Sequence, residues 1–161
     1  MWQKLIEILK WETEEYTAVL ELLKEQQKLI IKNKIAEIDV INQRLQTSYD
    51  QTSLWEKKRI ALVKQLAESL KLDSRLLTLD KIKNYLPNEF KEDYQATSEQ
   101  LKKVINAIQR ENKNNQDLLK MSLVYVDFSL NLYAGSSRSA YGQKGQEEAS
   151  GREKSFFNCK V

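Results

Sequence analysis

Apolar residues recur along the first part of the chain at helical spacing: Trp2, Leu5, Leu9, Tyr16, Leu20, Leu23, Ile30, Ile38, Ile41 and Leu45. That pattern is one face of a helix and predicts a first helix from Trp2 to about Leu45. A thinner stripe, Trp11, Ala18, Leu22, Leu29, Ala36 and Val40, recurs roughly every seven residues on another side, so this helix is expected to touch two neighbours. Thr47, Ser48, Asp50 and Ser53 supply capping chemistry and place the turn near residues 48 to 53. Leu54, Trp55, Leu62, Leu66 and Leu70 then line a shorter second helix. Asp73 and Ser74 loosen the chain, and Thr78 opens a short helix through about Tyr85. Pro87 suits the first turn of the next helix, where its missing N–H is no loss, and the apolar period there runs on to about Ala134.

Two faces can be drawn on this last helix. One stripe runs its full length: Phe90, Tyr94, Leu101, Ile105, Ile108, Asn112, Asn115, Leu119, Val126, Leu130 and Tyr133. Asn112 and Asn115 are its polar members. Buried asparagines that find partners fix the register of a helical seam at some cost in stability. The alternative is a locally splayed seam in which both side chains meet water. Beyond residue 117 a second apolar face appears, made of Leu118, Met121, Val124, Tyr125, Phe128 and Leu132, and it is divided from the first by Ser122 and Ser129. Lys120, Asp127 and Asn131 hold the polar side, so the apolar arc covers roughly 260°, where a helix with one neighbour needs little more than about 100°. Another helix of the same chain, a second copy or a client could cover it; aromatic stripes are usually core, which favours the first.

Composition strengthens the helical reading. The chain of 161 residues has four glycines and one proline, too little punctuation for a sheet protein, and all four glycines fall at or after Gly135. The expected fold is all-α, an elongated antiparallel helical bundle with two long helices and shorter middle helices. Residues 1–134 form the helical domain. Residues 135–161 lack an apolar period and form a flexible Gly/Ser-rich tail, in which Tyr141, Phe156 and Phe157 are the large apolar groups. No internal repeat is visible.

Charge and residue types exclude several functions. The net charge of +3 is spread thinly, and Lys57, Lys58 and Arg59 form the one tight basic cluster, which reads as a solvated face, so nucleic acid is not expected. Lys4 and Glu7 interrupt the apolar positions at the N-terminus, where a signal peptide is therefore not expected, and no stretch approaches the roughly 20 apolar residues of a membrane span. Cys159 is single and is not placed for prenylation. A cytoplasmic protein with an incidental thiol fits these features. The absence of histidine removes Ser/His and Cys/His pairs and His-ligated metal sites, and no glycine-rich loop offers a phosphate cradle. Adjacent acids such as Glu14 and Glu15 face apart on a helix. The chain is therefore read as a non-enzyme with no catalytic, cofactor or metal residues.

The stretch from Glu111 to Gly145 resembles the signature region of the FlgN family of flagellar export chaperones. Asn112 and Asn115 carry the resemblance, followed by Leu118 and Leu119, the apolar run through Leu132, and Tyr141-Gly142-Gln143-Lys144-Gly145 after a spacer. Upstream, the long first helix, the middle helix and the Leu-Thr-Leu segment at Leu77 to Leu79 stand in the same order. The continuation past Gly145 to Val161 departs from the family pattern. The resemblance implies a cytoplasmic type III export chaperone that holds the junction proteins FlgK and FlgL and delivers them to the export gate, whose component FlhA is the implied contact. It shifts weight for Leu118, Met121, Val124, Tyr125, Phe128 and Leu132 from core to client site, and it marks Tyr141 as the contact to the gate. A structural coiled-coil module whose second face makes a homodimer is the competing reading.

Overall fold

The computed structural model describes residues 1–73 and 77–139, with side chains through residue 132. Among the described residues every regular element is a helix: α1 Trp2–Ile31, α2 Ile35–Ser69, the single turn α3 Leu79–Ile82, and α4 Asn88–Ser139. The all-α class is as expected, but three helices are long rather than two: α1 has 30 residues, α2 has 35 and α4 has 52.

The first turn lies at Lys32-Asn33-Lys34, not at residues 48 to 53. Asn33 takes a left-handed backbone, φ 53°. The Lys34 N–H reaches back to Leu29 O at 3.0 Å and the Asn33 N–H to Ile30 O at 3.0 Å, the paired bonds that close a helix C-terminus. Asparagine tolerates this conformation better than any other non-glycine residue here. Two of the expected caps, Thr47 and Asp50, bond within the helix instead, as does Thr52. Thr47 donates to Gln43 O at 3.1 Å, Thr52 to Tyr49 O at 2.8 Å, and Gln46 to Asp50 at 3.0 Å, so these polar side chains bond within α2 and let it run on. α2 ends by the same device as α1: Lys71 has φ 54°, Leu72 N–H bonds Ala67 O at 2.9 Å, and Lys71 N–H bonds Glu68 O at 3.2 Å. α4 continues through Gly135 to Ser139, past the end expected near residue 134.

The chain divides into two compact units, residues 1–123 and 124–161. In the first, Leu5, Leu9, Leu62, Leu66, Tyr94 and Leu101 share one cluster, while Val19, Leu23, Ile41, Leu45, Val104 and Ile108 share another. α2 therefore runs antiparallel to α1, and α4 runs parallel to it. Residues 77–86 turn the chain at the end where α1 begins: Leu77, Ile82 and Leu86 enter the first cluster, and the Tyr94 hydroxyl donates to Leu79 O at 2.8 Å.

One ion pair is built into this interior. The Glu12 side chain is 1% exposed, and Arg59, at 19%, donates through Nε to both its oxygens at 2.9 and 3.2 Å. Arg59 thus belongs to the helix interface, not to the solvated face that its lysine neighbours suggested. Burial pushes the Glu12 carboxyl above its ordinary range, and Arg59 opposes that shift.

Two stability predictions follow from the turns and the pair. Lys71→Gly removes the cost of a left-handed non-glycine residue and should stabilise the fold by about 0.5 to 1 kcal/mol. Asn33→Gly should gain less, because asparagine already suits the site; urea midpoints that fail to rank Lys71→Gly first would contradict this. For the pair, Arg59→Met strands a buried carboxylate and should cost about 3 kcal/mol at neutral pH. Glu12→Met leaves Arg59 near Glu56, at 3.6 Å, and should change stability by about 1 kcal/mol or less. A raised carboxyl pKa disfavours the charged form in the fold, so the Arg59→Met deficit should shrink as the pH falls toward the unfolded value of 4.5, measured as urea midpoints across that range.

Candidate functional site

α4 changes character along its length, and the change can be followed residue by residue. Tyr94, Leu101, Val104 and Ile108 are buried against α1 and α2. The last buried residue among those described is polar. Asn115 is 2% exposed, and its Nδ2 donates to Leu23 O and to Gln26 Oε1, each at 2.8 Å. Gln26 Nε2 in turn donates to Asn42 Oδ1 at 2.8 Å. A chain of side-chain amides thus ties α4 to α1 and α1 to α2. Asn115 Oδ1 has no hydrogen-bond partner. Asn112, one turn earlier, is exposed, so the two asparagines have different roles: Asn115 locks the seam and Asn112 stands outside it. The pattern of apolar residues marked both without separating them, since a three-residue step swings a side chain by about 60° around the helix.

Beyond Asn115 the neighbours end. Parallel helices rise equally per residue, and Asn115 lies level with Leu23 to Gln26, so Ile31, where α1 stops, is level with roughly residues 120 to 123. In the first unit Leu118 is half-buried, while Leu119, Met121 and Leu123 are exposed. In the second unit Val124, Tyr125, Val126, Phe128, Leu130 and Leu132 are all exposed, Tyr125 at 71% and Phe128 at 59%. The packing stripe expected to run the whole helix therefore stops near Leu118. Leu119, Val126 and Leu130, assigned to it, face solvent instead, and so does Leu123, which neither face included. Placing the end of the first helix near Leu45 hid this, because it supplied α4 with a neighbour longer than the one it has.

The polar groups in this stretch do little to interrupt it. Ser122 donates to Leu118 O at 3.0 Å and Ser129 to Tyr125 O at 2.9 Å, so both hydroxyls turn back onto their own helix. Lys120 lies 3.9 Å from Asp117. Contiguous exposed apolar side chains are a feature that interaction surfaces share. Among the described residues, no group of three or more metal-ligating side chains occurs, and no helix is long and apolar enough to cross a membrane. Tyr141, the following Gly142 to Gly145, the expected tail from residue 140 on with Phe156, Phe157 and Cys159, and Ser74 lie outside the described residues.

Comparison with known proteins adds one match. The family model described as FlgN protein matches residues 1–149. No curated protein and no solved structure matches the chain.

The amide tie makes a prediction of its own. Asn115→Asp sets a carboxylate against Leu23 O and Gln26 Oε1, two acceptors, and should cost about 3 kcal/mol at neutral pH. Burial raises the pKa of the new acid, so the loss should be recovered as the pH falls through that value. A urea midpoint equal to that of the unaltered protein at pH 7 would show that the tie carries no weight.

Proposed function

The chain belongs to the FlgN family, whose members are flagellar export chaperones, and from that premise we propose that it holds the terminal helices of the junction proteins FlgK and FlgL in the cytoplasm. It keeps them from aggregating and delivers them to the export gate through FlhA. The observation that carries this reading is the bare apolar stretch of α4, where Met121, Val124, Tyr125, Phe128 and Leu132 are exposed. With the half-buried Leu118 these are the residues proposed to contact the client.

The chemistry suits a client that is an amphipathic helix. A single apolar helix offers a ridge, and a second amphipathic helix laid along it completes a two-stranded seam. Methionine adapts to different sequences and the aromatics supply contact area at little entropic cost. Ordering an unfolded client segment consumes about 2 to 5 kcal/mol of the contact energy, which keeps affinity moderate and release possible. Tyr141 is proposed as the residue that meets the gate, and residues 135–161 as the segment that carries it there.

Phe128→Asp or Leu132→Asp should weaken capture of the C-terminal segments of FlgK and FlgL at least tenfold in calorimetry. Helicity and melting temperature should stay unchanged, because both side chains are exposed in the free protein. Absence of heat for the unaltered protein at tens of micromolar, with either segment, would overturn the proposal.

A further inference from the structure

The last turn of α1 borders the client stretch of α4, and it carries groups that the fold leaves without partners. Those groups and the part of α4 beside them lie in the first unit. Gln27 reaches across to α4, where its Nε2 donates to Glu111 Oε2 at 3.4 Å. Ile31 stands one helical turn beyond Gln27 on the same face of α1, so it is turned toward the edge that borders α4. It is nevertheless 68% exposed, whereas Ile30 beside it is 6% exposed. On α4 the next residues beyond Glu111 on that side are Asn115, in the seam, and Leu118, half-buried. Steps of seven in sequence from Glu111 give Leu118, Tyr125 and Leu132, three of the residues assigned to the client. Ile31 is the last apolar residue that α1 offers along this line.

Two free cations flank Ile31. Lys28 and Lys32 lie a helical turn apart on one edge of α1, both exposed. Neighbouring lysines are matched: Lys24 with Glu21 at 2.8 Å, Lys34 with Glu37 at 2.5 Å, and Lys120 with Asp117 at 3.9 Å. Among the described residues no carboxylate lies within ion-pair distance of Lys28 or Lys32. Cations suit the C-terminal end of a helix, but two like charges at this spacing also repel each other. A bare isoleucine beside an unmatched positive pair discriminates by sign, because an acidic helix gains from both and a basic one is turned away. We propose that Ile31, Lys28 and Lys32 form one end of the client seat, and that the client selected there is an amphipathic helix with acidic residues beside its apolar stripe. This rests on the client reading of α4 and gives that client a charge. A second copy does not supply such a helix: from Leu118 to Leu132 its α4 carries one lysine, Lys120, and one aspartate, Asp127.

Calorimetry of the full chain with the C-terminal segments of FlgK and FlgL tests this. Ile31→Ser should weaken capture about tenfold, the loss expected for one buried isoleucine side chain. The affinity of the unaltered protein should fall as salt rises from about 0.05 to 0.5 M, and Lys28→Glu combined with Lys32→Glu should remove or reverse that dependence. The double variant should prefer segments whose Asp and Glu have been replaced by Lys, which the unaltered protein should bind more weakly than the native ones. All three positions are exposed, so the variants should fold, with unchanged far-ultraviolet dichroism. Lys113→Glu, exposed and about 160° around α4 from Asn115, should leave capture unchanged. If Phe128→Asp abolishes capture while Ile31→Ser and the double variant leave it intact, the client reading of α4 stands and the seat on α1 is overturned. It is overturned equally if the double variant binds native and lysine-substituted segments alike. Absence of heat with either native segment overturns both.

Discussion

The geometry of the first unit depends on where the hairpin turns. A left-handed residue at Asn33, closed by the bonds from Asn33 and Lys34 back to Ile30 and Leu29, ends α1 after 30 residues and reverses the chain into α2. Because α4 runs parallel to α1, the length of α1 limits how much of α4 can be covered. Layer by layer, Leu5 and Leu9 share a cluster with Tyr94 and Leu101, Val19 and Leu23 with Val104 and Ile108, and Asn115 closes the series against Leu23 and Gln26; then the supply of neighbours is exhausted. The exposure of Met121 and Leu123 is therefore a consequence of the backbone conformation at Asn33, far earlier in the chain.

Polar groups set the order inside the bundle. The apolar clusters are permissive about register, since leucines and isoleucines one turn apart are nearly equivalent. Asn115 is not permissive, because its two donors must find Leu23 O and Gln26 Oε1 together. Its Oδ1 remains without a partner, so the lock is bought with an unsatisfied acceptor, the exchange of stability for specificity that a polar seam residue makes. Glu12 and Arg59 do the same for the α1–α2 pairing.

Much of this was legible in the chain. Helical periodicity, the late glycines and the placement of Pro87 gave the all-α class, and the apolar excess after residue 117 was visible before any coordinates. The hairpin turn was not, because capping-type side chains at Thr47, Ser48, Asp50 and Ser53 stand in the sequence as they would at a real terminus, while Lys-Asn-Lys carries no glycine to advertise a left-handed residue. That one displacement accounts for the seam residues misassigned from Leu119 onward. Asn115 and Asn112 were marked as a pair since spacing alone cannot tell which side of a seam edge a residue falls. Arg59 was hidden inside a run of lysines, and only the burial of Glu12 one helix away distinguishes it.

The hydrogen bonds from Asn115 to α1 span 92 and 89 residues of sequence, whereas α1 and α2 meet across a three-residue turn. Local contacts form fast and distant ones wait for loop closure. During synthesis the hairpin can assemble as soon as residue 69 has left the ribosome, with the side of Leu5, Leu9 and Leu23 that awaits α4 still wet. α4 can dock only later, and Phe90 and Tyr94 are the first of its apolar residues that pack on the hairpin. The hairpin by itself thus leaves one side of its core open, and the last long helix is the piece that closes it.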